Sequence, residues 1–276
     1  MCELFAMSSA VPATVTYSLE QFAKHGGLTA GNKDGWGICY YEEEDIRLIK
    51  EPTPAASSPW VKFIAEQELA SDCVVAHVRM ASRGRTHLEN THPFERELAG
   101  RRHVFAHNGT LAEVHEKWPL RDQRFQPIGE TDSEHAFCVL LERLHDLWYG
   151  ATRPPALADR QEVIAQFAAD MRPLGQINFL YTDGDILWVH GHKRHHTIDG
   201  VVSAEATPPG LHLLRQTREP VGEKLECDGL KVATGQPGIV LFASVPLNDE
   251  DWQPIPEGTL IAIRNGHEVA RVGQGG

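Results

Sequence analysis

Missing from the sequence is any C-x-x-C pair. The five cysteines, Cys2, Cys39, Cys73, Cys138 and Cys227, are an odd, scattered set, which excludes a disulfide framework and a zinc ribbon. Missing too is an apolar run near the roughly 20 residues that cross a bilayer, or a basic N-terminal segment leading into an apolar core. No membrane partner is expected, and the reading is a cytoplasmic protein. Basic charge is scarce: 26 Lys and Arg against 38 Asp and Glu leave a net charge of -12. That balance cannot neutralise phosphates, so no nucleic-acid partner is expected. Neither a phosphate-cradling glycine fingerprint nor a serine nucleophile elbow occurs, which sets aside nucleotide binding and serine hydrolysis.

What is present is ordinary globular composition over 276 residues, 41% hydrophobic and 23% charged, enough for a packed soluble enzyme. Residues 3 to 8 read as a strand, and Ser18-Leu19-Glu20-Gln21 has capping-box spacing for a short helix ending at Gly26-Gly27. A turn-rich loop over 32 to 37 leads into residues 38 to 41, which with 46 to 49 suggest a hairpin, and Ser58-Pro59 opens a helix to about Leu69. Residues 73 to 79 form a nearly continuous apolar run suited to a buried strand ending at Arg79. Arg102 to His107 is another strand, expected to stop at an Asn108-Gly109 turn. Thr131-Asp132-Ser133-Glu134 is a capping box before an i, i+3, i+4, i+7 apolar pattern, and Asp159 to Met171 is a second amphipathic helix. From residue 176 the period becomes two, with a hairpin around Asp183-Gly184 and strands over 211 to 216, 238 to 243, 259 to 264 and beyond Asn265-Gly266. Strands, helices and strands again fit one α/β (α+β) domain over residues 1–276, with two sheets between helical layers.

The chemistry starts at Met1-Cys2. If Met1 is removed, Cys2 carries a thiol and a free α-amine on one residue. A thiol is a strong nucleophile, and an α-amine titrating at roughly 7.7 to 8.0 can take its proton. Arg79, Asn108-Gly109 and Asp132 each lie where a predicted element ends. The Asn108 amide and the Gly109 N–H suit a developing oxyanion, Arg79 suits a carboxylate and Asp132 an ammonium. Taken singly, each has a plainer reading: a turn at Asn108-Gly109, a first-turn carboxylate at Asp132, a strand-edge cation at Arg79.

Together these residues resemble the class II glutamine amidotransferase domain, a branch of the N-terminal-nucleophile hydrolases. The matching stretches are Cys2, D-G-W-G (34 to 37), H-V-R-M-A-S-R-G (77 to 84), T-H-P-F (91 to 94), H-N-G-T (107 to 110) and E-T-D-S-E (130 to 134). The resemblance implies a four-layer αββα sandwich with Cys2 as nucleophile and Asn108 and Gly109 as oxyanion hole. Arg79 and Asp132 would hold the substrate α-carboxylate and α-ammonium, with Met80, Ser82 and His92 also substrate-binding. The substrate would be glutamine or another small γ-glutamyl amide, with no cofactor and no metal. Where the well-known members follow the arginine with Trp-Ala-Thr-His, this sequence has Met80-Ala81-Ser82-Arg83, which puts strict preference for glutamine in question. The sandwich would use the whole chain and leave no acceptor domain, as in stand-alone γ-glutamyl hydrolases, which A-S-V-P-L-N-D-E-D-W (243 to 252) also resembles. An ammonia-accepting synthase partner is the other possibility.

A different class of reading is a non-catalytic γ-glutamyl-binding or regulatory protein of the same fold. The histidines His190, His192, His195 and His196 are read as an exposed hairpin end rather than a metal site, and His77 and His107 as core or hydrogen-bonded supporting residues.

Overall fold

The computed structural model describes residues 2–15, 22–24, 26–27, 32–81, 84–121, 123–198, 201–216, 225–227, 230–232 and 238–273. Its elements begin with β1 (Glu3–Thr14), β2 (Trp36–Glu42), β3 (Asp45–Glu51), α1 (Pro59–Gln67), β4 (Ala70–Val78), β5 (Phe94–Leu98) and β6 (Arg101–Leu111). A single-turn α2 (Val114–Lys117) precedes the long helices α3 (Asp132–Trp148) and α4 (Leu157–Met171), then β7 (Gly175–Thr182), β8 (Leu187–Gly191), β9 (Thr197–Ile198) and β10 (Val201–Val202). The chain closes with β11 (His212–Gln216), β12 (Leu225–Cys227), β13 (Leu230–Val232), β14 (Ile239–Ala243), β15 (Gln253–Pro254), β16 (Thr259–Arg264) and β17 (His267–Val272).

These strands form two large antiparallel sheets. The first runs β15-β11-β14-β1-β4-β2-β3, with β13 pairing to β1 and β12 to β13; the second runs β17-β16-β8-β7-β6-β5. Strand alternation dictates the layers. On β1, Leu4 and Ala6 join Val104 and Ala106 of β6 and Leu180 of β7 between the sheets. Phe5 and Met7 point the other way, toward Phe22, Val61 and Ile64. Phe105 of β6, with Phe179 and Tyr181 of β7, packs under Phe137, Leu141, Ile164 and Phe167 of α3 and α4. The result is the αββα sandwich, α1 outside one sheet and α3–α4 outside the other.

Several expectations change in detail. Strand β1 runs past Ser8 to Thr14 through a register irregularity between Ser8 and Ala13; Pro12, which has no N–H to give a ladder, lies within it. Helix α1 is capped by Ser58, whose Oγ accepts the Trp60 N–H at 3.1 Å. It stops at Gln67 because Glu68 turns left-handed, φ 47°, so Leu69 lies outside it. The Ser18–Gln21 cap lies outside the described residues. The strand expected to stop at residue 107 instead continues through Asn108 and Gly109 to Leu111, paired with β7 throughout. At α3 half of the capping box forms: Thr131 Oγ1 accepts the Glu134 N–H at 3.2 Å. Glu134 itself turns to the Arg96 guanidinium and the N–H groups of Ile128 and Gly129. His190 and His192 are not at an exposed hairpin end. His190 is wholly buried on β8, with His192 buried just beyond, because their parity follows Trp188 toward the α4 side.

Candidate active site

Parity also assembles the site. Cys2 precedes β1 in the register of Leu4 and Ala6, Asn108 extends the inter-sheet face of Val104 and Ala106, and Arg79 extends that of Val75 and His77. The start of β1, the end of β4 and a position within β6 thus meet in one layer between the two sheets.

Cys2 is part-buried. Its Sγ accepts the Met80 N–H and donates to the Met80 carbonyl, both at 3.2 Å. Burial pushes the thiol up, and the Met80 N–H and the positive charge of Arg79 pull back. Asn108 donates its Nδ2 to the Cys2 carbonyl at 2.5 Å and to Ser244 Oγ at 3.3 Å. Ser244 Oγ in turn accepts the Leu4 N–H at 3.0 Å. One β7 side chain fixes the backbone beneath: Asn178 Nδ2 donates to the Asn108 carbonyl at 3.1 Å and the Lys193 carbonyl at 2.9 Å, while its Oδ1 accepts the His192 N–H at 2.7 Å. At Gly109, φ +155°, a Cβ would sit 1.9 Å from the Gln176 carbonyl oxygen. Only glycine fits this close approach of β6 to β7.

Cys2, Met80, Asn108 and Gly109 line one cavity of about 390 Å³, together with Ala81, Thr110, Gln176, His195, Val202 and Ser203. A larger groove, about 930 Å³, runs along α4 and β16–β17 and shares no lining residue with it.

The other expected residues lie apart. Arg79 is buried and does not line the cavity. Its Nη1 donates to the carbonyls of Asp34 (3.4 Å) and Arg85 (3.2 Å), and Nη2 to that of Gly84 (3.2 Å). Asp132 caps backbone: Oδ2 accepts the Leu111 N–H at 2.6 Å and Oδ1 the Ser133 N–H at 3.0 Å. His107 ties that helix end to β6. With Nε2 3.1 Å from the Gln176 carbonyl, Nε2 carries the proton and Nδ1, 2.8 Å away, accepts from Ser133 Oγ. His92 is buried away from the cavity, its ring 4.2 Å from that of His77 and 4.3 Å from that of Phe94. Burial holds it well below the ordinary histidine range, and His77 falls to about 3, also by burial. Both are neutral and supporting. Ser82 lies outside the described residues.

The residues not foreseen are Ala81, Thr110, Gln176, His195, Val202 and Ser203 in the lining, with Asn178 and Ser244 behind. An asparagine in the apolar run I-N-F-L-Y was a visible signal for Asn178. His195, Val202 and Ser203 carried none, since they reach Cys2 from the far sheet through a connection with no apolar period. Among the described residues no group of three or more metal-ligating side chains occurs, and no helix is long and apolar enough to cross a membrane.

Two antiparallel sheets between helical layers, with a cysteine at the mouth of the first strand, define an N-terminal-nucleophile-type sandwich. Comparison with known proteins gives the family. The class-II glutamine amidotransferase family model matches residues 1–274, and the chain belongs to that family. It is 37% identical over 259 residues to "Putative glutamine amidotransferase YafJ" of Escherichia coli (strain K12), covering 94% of this chain and 95% of that protein. It is 26% identical to "Probable glutamine amidotransferase DUG3" of Saccharomyces cerevisiae, covering 84% of this chain and 70% of the relative. Among solved structures, a predicted glutamine amidotransferase from Pseudomonas aeruginosa PA01 aligns at TM-score 0.66 and 29% identity, over 98% of this chain and all of that one. The glutamine phosphoribosylpyrophosphate amidotransferase of B. subtilis aligns at TM-score 0.61 and 15% identity, over 98% of this chain and 49% of its own. At that identity it speaks for the fold alone.

Proposed function

We propose that the chain is an amidohydrolase of the class II glutamine amidotransferase kind, acting on glutamine or a γ-glutamyl amide once Met1 is removed. The observation that carries this is one cavity holding the Cys2 thiol against Asn108 and Gly109. The Cys2 α-amine takes the thiol proton, and the sulfur adds to the γ-carbonyl carbon. Negative charge builds on the carbonyl oxygen, where the Asn108 Nδ2 and the Gly109 N–H donate. For this, Asn108 exchanges its bond to the Cys2 carbonyl for one to the oxyanion. The C–N bond breaks and the leaving amine, or ammonia, takes the proton from the α-ammonium. Water, giving a proton back to the α-amine, then cleaves the thioester to glutamate and free thiol.

Arg79 and Asp132, which lie outside the cavity lining, are the charged groups suited to the substrate α-carboxylate and α-ammonium. Whether ammonia is released to solvent or passed to a synthase partner is read from the isolated chain: hydrolysis without a partner marks a free-standing hydrolase. Intact mass of the purified protein is expected to show loss of Met1, with glutamate released from glutamine or γ-glutamyl amides. Cys2→Ala is expected to fold normally and to release none. Full turnover in that variant would remove Cys2 from the chemistry.

A further inference from the structure

The cavity has a wall that the amidase chemistry does not require. It comes from a hairpin reaching over from the second sheet, in which β9 pairs with β10 and Arg194 and Thr207 exchange backbone bonds of 3.0 and 2.9 Å at its base. His195 Nδ1 donates to the Ser203 carbonyl at 2.8 Å, and Ser203 Oγ accepts the His196 N–H at 2.9 Å. The hairpin is fastened to the nucleophile strand by Arg194, 5% exposed, whose Nη2 lies 3.8 Å from the equally buried Glu3 carboxylate. It is therefore a formed wall.

We propose that this hairpin is the leaving-group wall of the cavity, and that it selects γ-glutamyl amides of uncharged, apolar amines over glutamine. The inference rests on the amidase reading above and names its substrate class. Three observations lead to it. The groups suited to the α-carboxylate and α-ammonium, Arg79 and Asp132, do not line the cavity, so the α-end of a substrate points away and the amine side of the scissile bond occupies it. The cavity, about 390 Å³, is many times the roughly 30 Å³ share of a water-sized molecule such as ammonia. Its described lining includes no Lys, Arg, Asp or Glu, while Val202 and Met80, 55% and 41% exposed, present apolar side chains. Among the described lining residues His195 is engaged with the Ser203 carbonyl, so an amine bearing a carboxylate would meet no lysine or arginine among them, whereas an alkyl amine would bury its chain against Val202 and Met80.

The test is glutamate release by the full chain from glutamine, the γ-glutamyl methyl-, ethyl- and butylamides, and γ-glutamylglycine. Each methylene buried in the wild type is expected to raise kcat/KM by about threefold to fourfold. The butylamide then leads the methylamide by roughly 30-fold or more, and γ-glutamylglycine falls below the ethylamide. In Val202→Asp the rise along the series is expected to flatten, and in Val202→Ala to weaken, which keeps the test valid if either variant folds poorly. A flat or falling series with glutamine preferred overturns the leaving-group wall and leaves the amidase reading standing. An unchanged slope in folded Val202→Asp does the same. No glutamate from any compound, with Met1 removed and the fold intact, overturns both.

Discussion

Acid should unfold this protein before it titrates most of its carboxylates, because its histidines are buried neutral. His77 and His190 are depressed to about 3 and His103 to about 4, each first of all by burial, and each is fully buried. A histidine in the unfolded chain titrates near 6.5. The unfolded state therefore binds protons that the folded state refuses, so stability is complete above about pH 6.5 and is lost as pH falls toward the folded values. At pH 5 each unfolded histidine gains about 1.5 pKa units of protonation free energy, or about 2 kcal/mol. For three sites the loss between pH 7.5 and pH 5 is about 6 kcal/mol. It is a floor, because His92, His107, His135, His192 and His212 are lowered as well. Set against a typical total of 5–15 kcal/mol, the fold should be marginal at pH 5. Urea unfolding at pH 7.5, 6.5, 5.5 and 5.0 gives the stability directly. Its slope near pH 5.5 should report uptake of about 2.7 protons from these three sites. A stability flat within about 1 kcal/mol between pH 7.5 and 5 would refute neutral burial of these rings.

Other consequences follow from single contacts. Asn108→Ala should lower kcat by about 10²–10³-fold, the usual cost of an oxyanion donor, with a smaller change in KM; equal kinetics would remove Asn108 from the oxyanion role. Gly109→Ala places a Cβ 1.9 Å from the Gln176 carbonyl oxygen. It should destabilise by about 3 kcal/mol or more, and a denaturation midpoint matching wild type would show that β6 and β7 separate there at little cost. Arg160 joins Asp183 and Asp185, each at 2.7 Å, inside the second sheet's hairpin. Arg160→Met strands the buried Asp183 carboxylate and should cost about 3–5 kcal/mol, checked by urea unfolding at pH 7.5.

Legibility followed the physical signal in each segment. The helix over 132–148 was visible because apolar period and the Thr131 cap agree there, the helix expected from Asp159 to Met171 from its amphipathic period, and the hairpin around Asp183 from its Asp-Gly turn. Strand β5 was not, since F-E-R-E-L carries three charges on an edge strand whose middle is only half buried. Asn108-Gly109 misled because Asn-Gly is also the commonest turn dipeptide; nothing local says that glycine is required by a β7 carbonyl 67 residues later in the chain. That Cys2, Asn108 and Gly109 belong together was legible through ordered motifs over the first half, and they line one cavity. The hairpin over Cys2 was not, because a wall of four paired strand residues has too few positions to show a period.

The same geometry explains why a substrate must do more than fill space. In this structure Arg79 donates to the neutral carbonyls of Asp34, Gly84 and Arg85, and Asp132 accepts from two backbone N–H groups. A charge-assisted bidentate bond is roughly twice as strong as a neutral one, so a carboxylate can displace the Gly84 and Arg85 carbonyls from Arg79. Displacement must move the 84–85 segment, whose Arg85 N–H is held by Glu130 at 2.9 Å. It would also bear on Met80, four and five residues before that segment, whose backbone brackets the Cys2 thiol. For the proposed chemistry, binding the α-carboxylate and freeing the sulfur from the Met80 backbone are then linked steps on one short stretch of chain. A γ-acyl amide lacking the α-carboxylate would place its amine side in the cavity without that exchange, and the Cys2 thiol would stay bracketed.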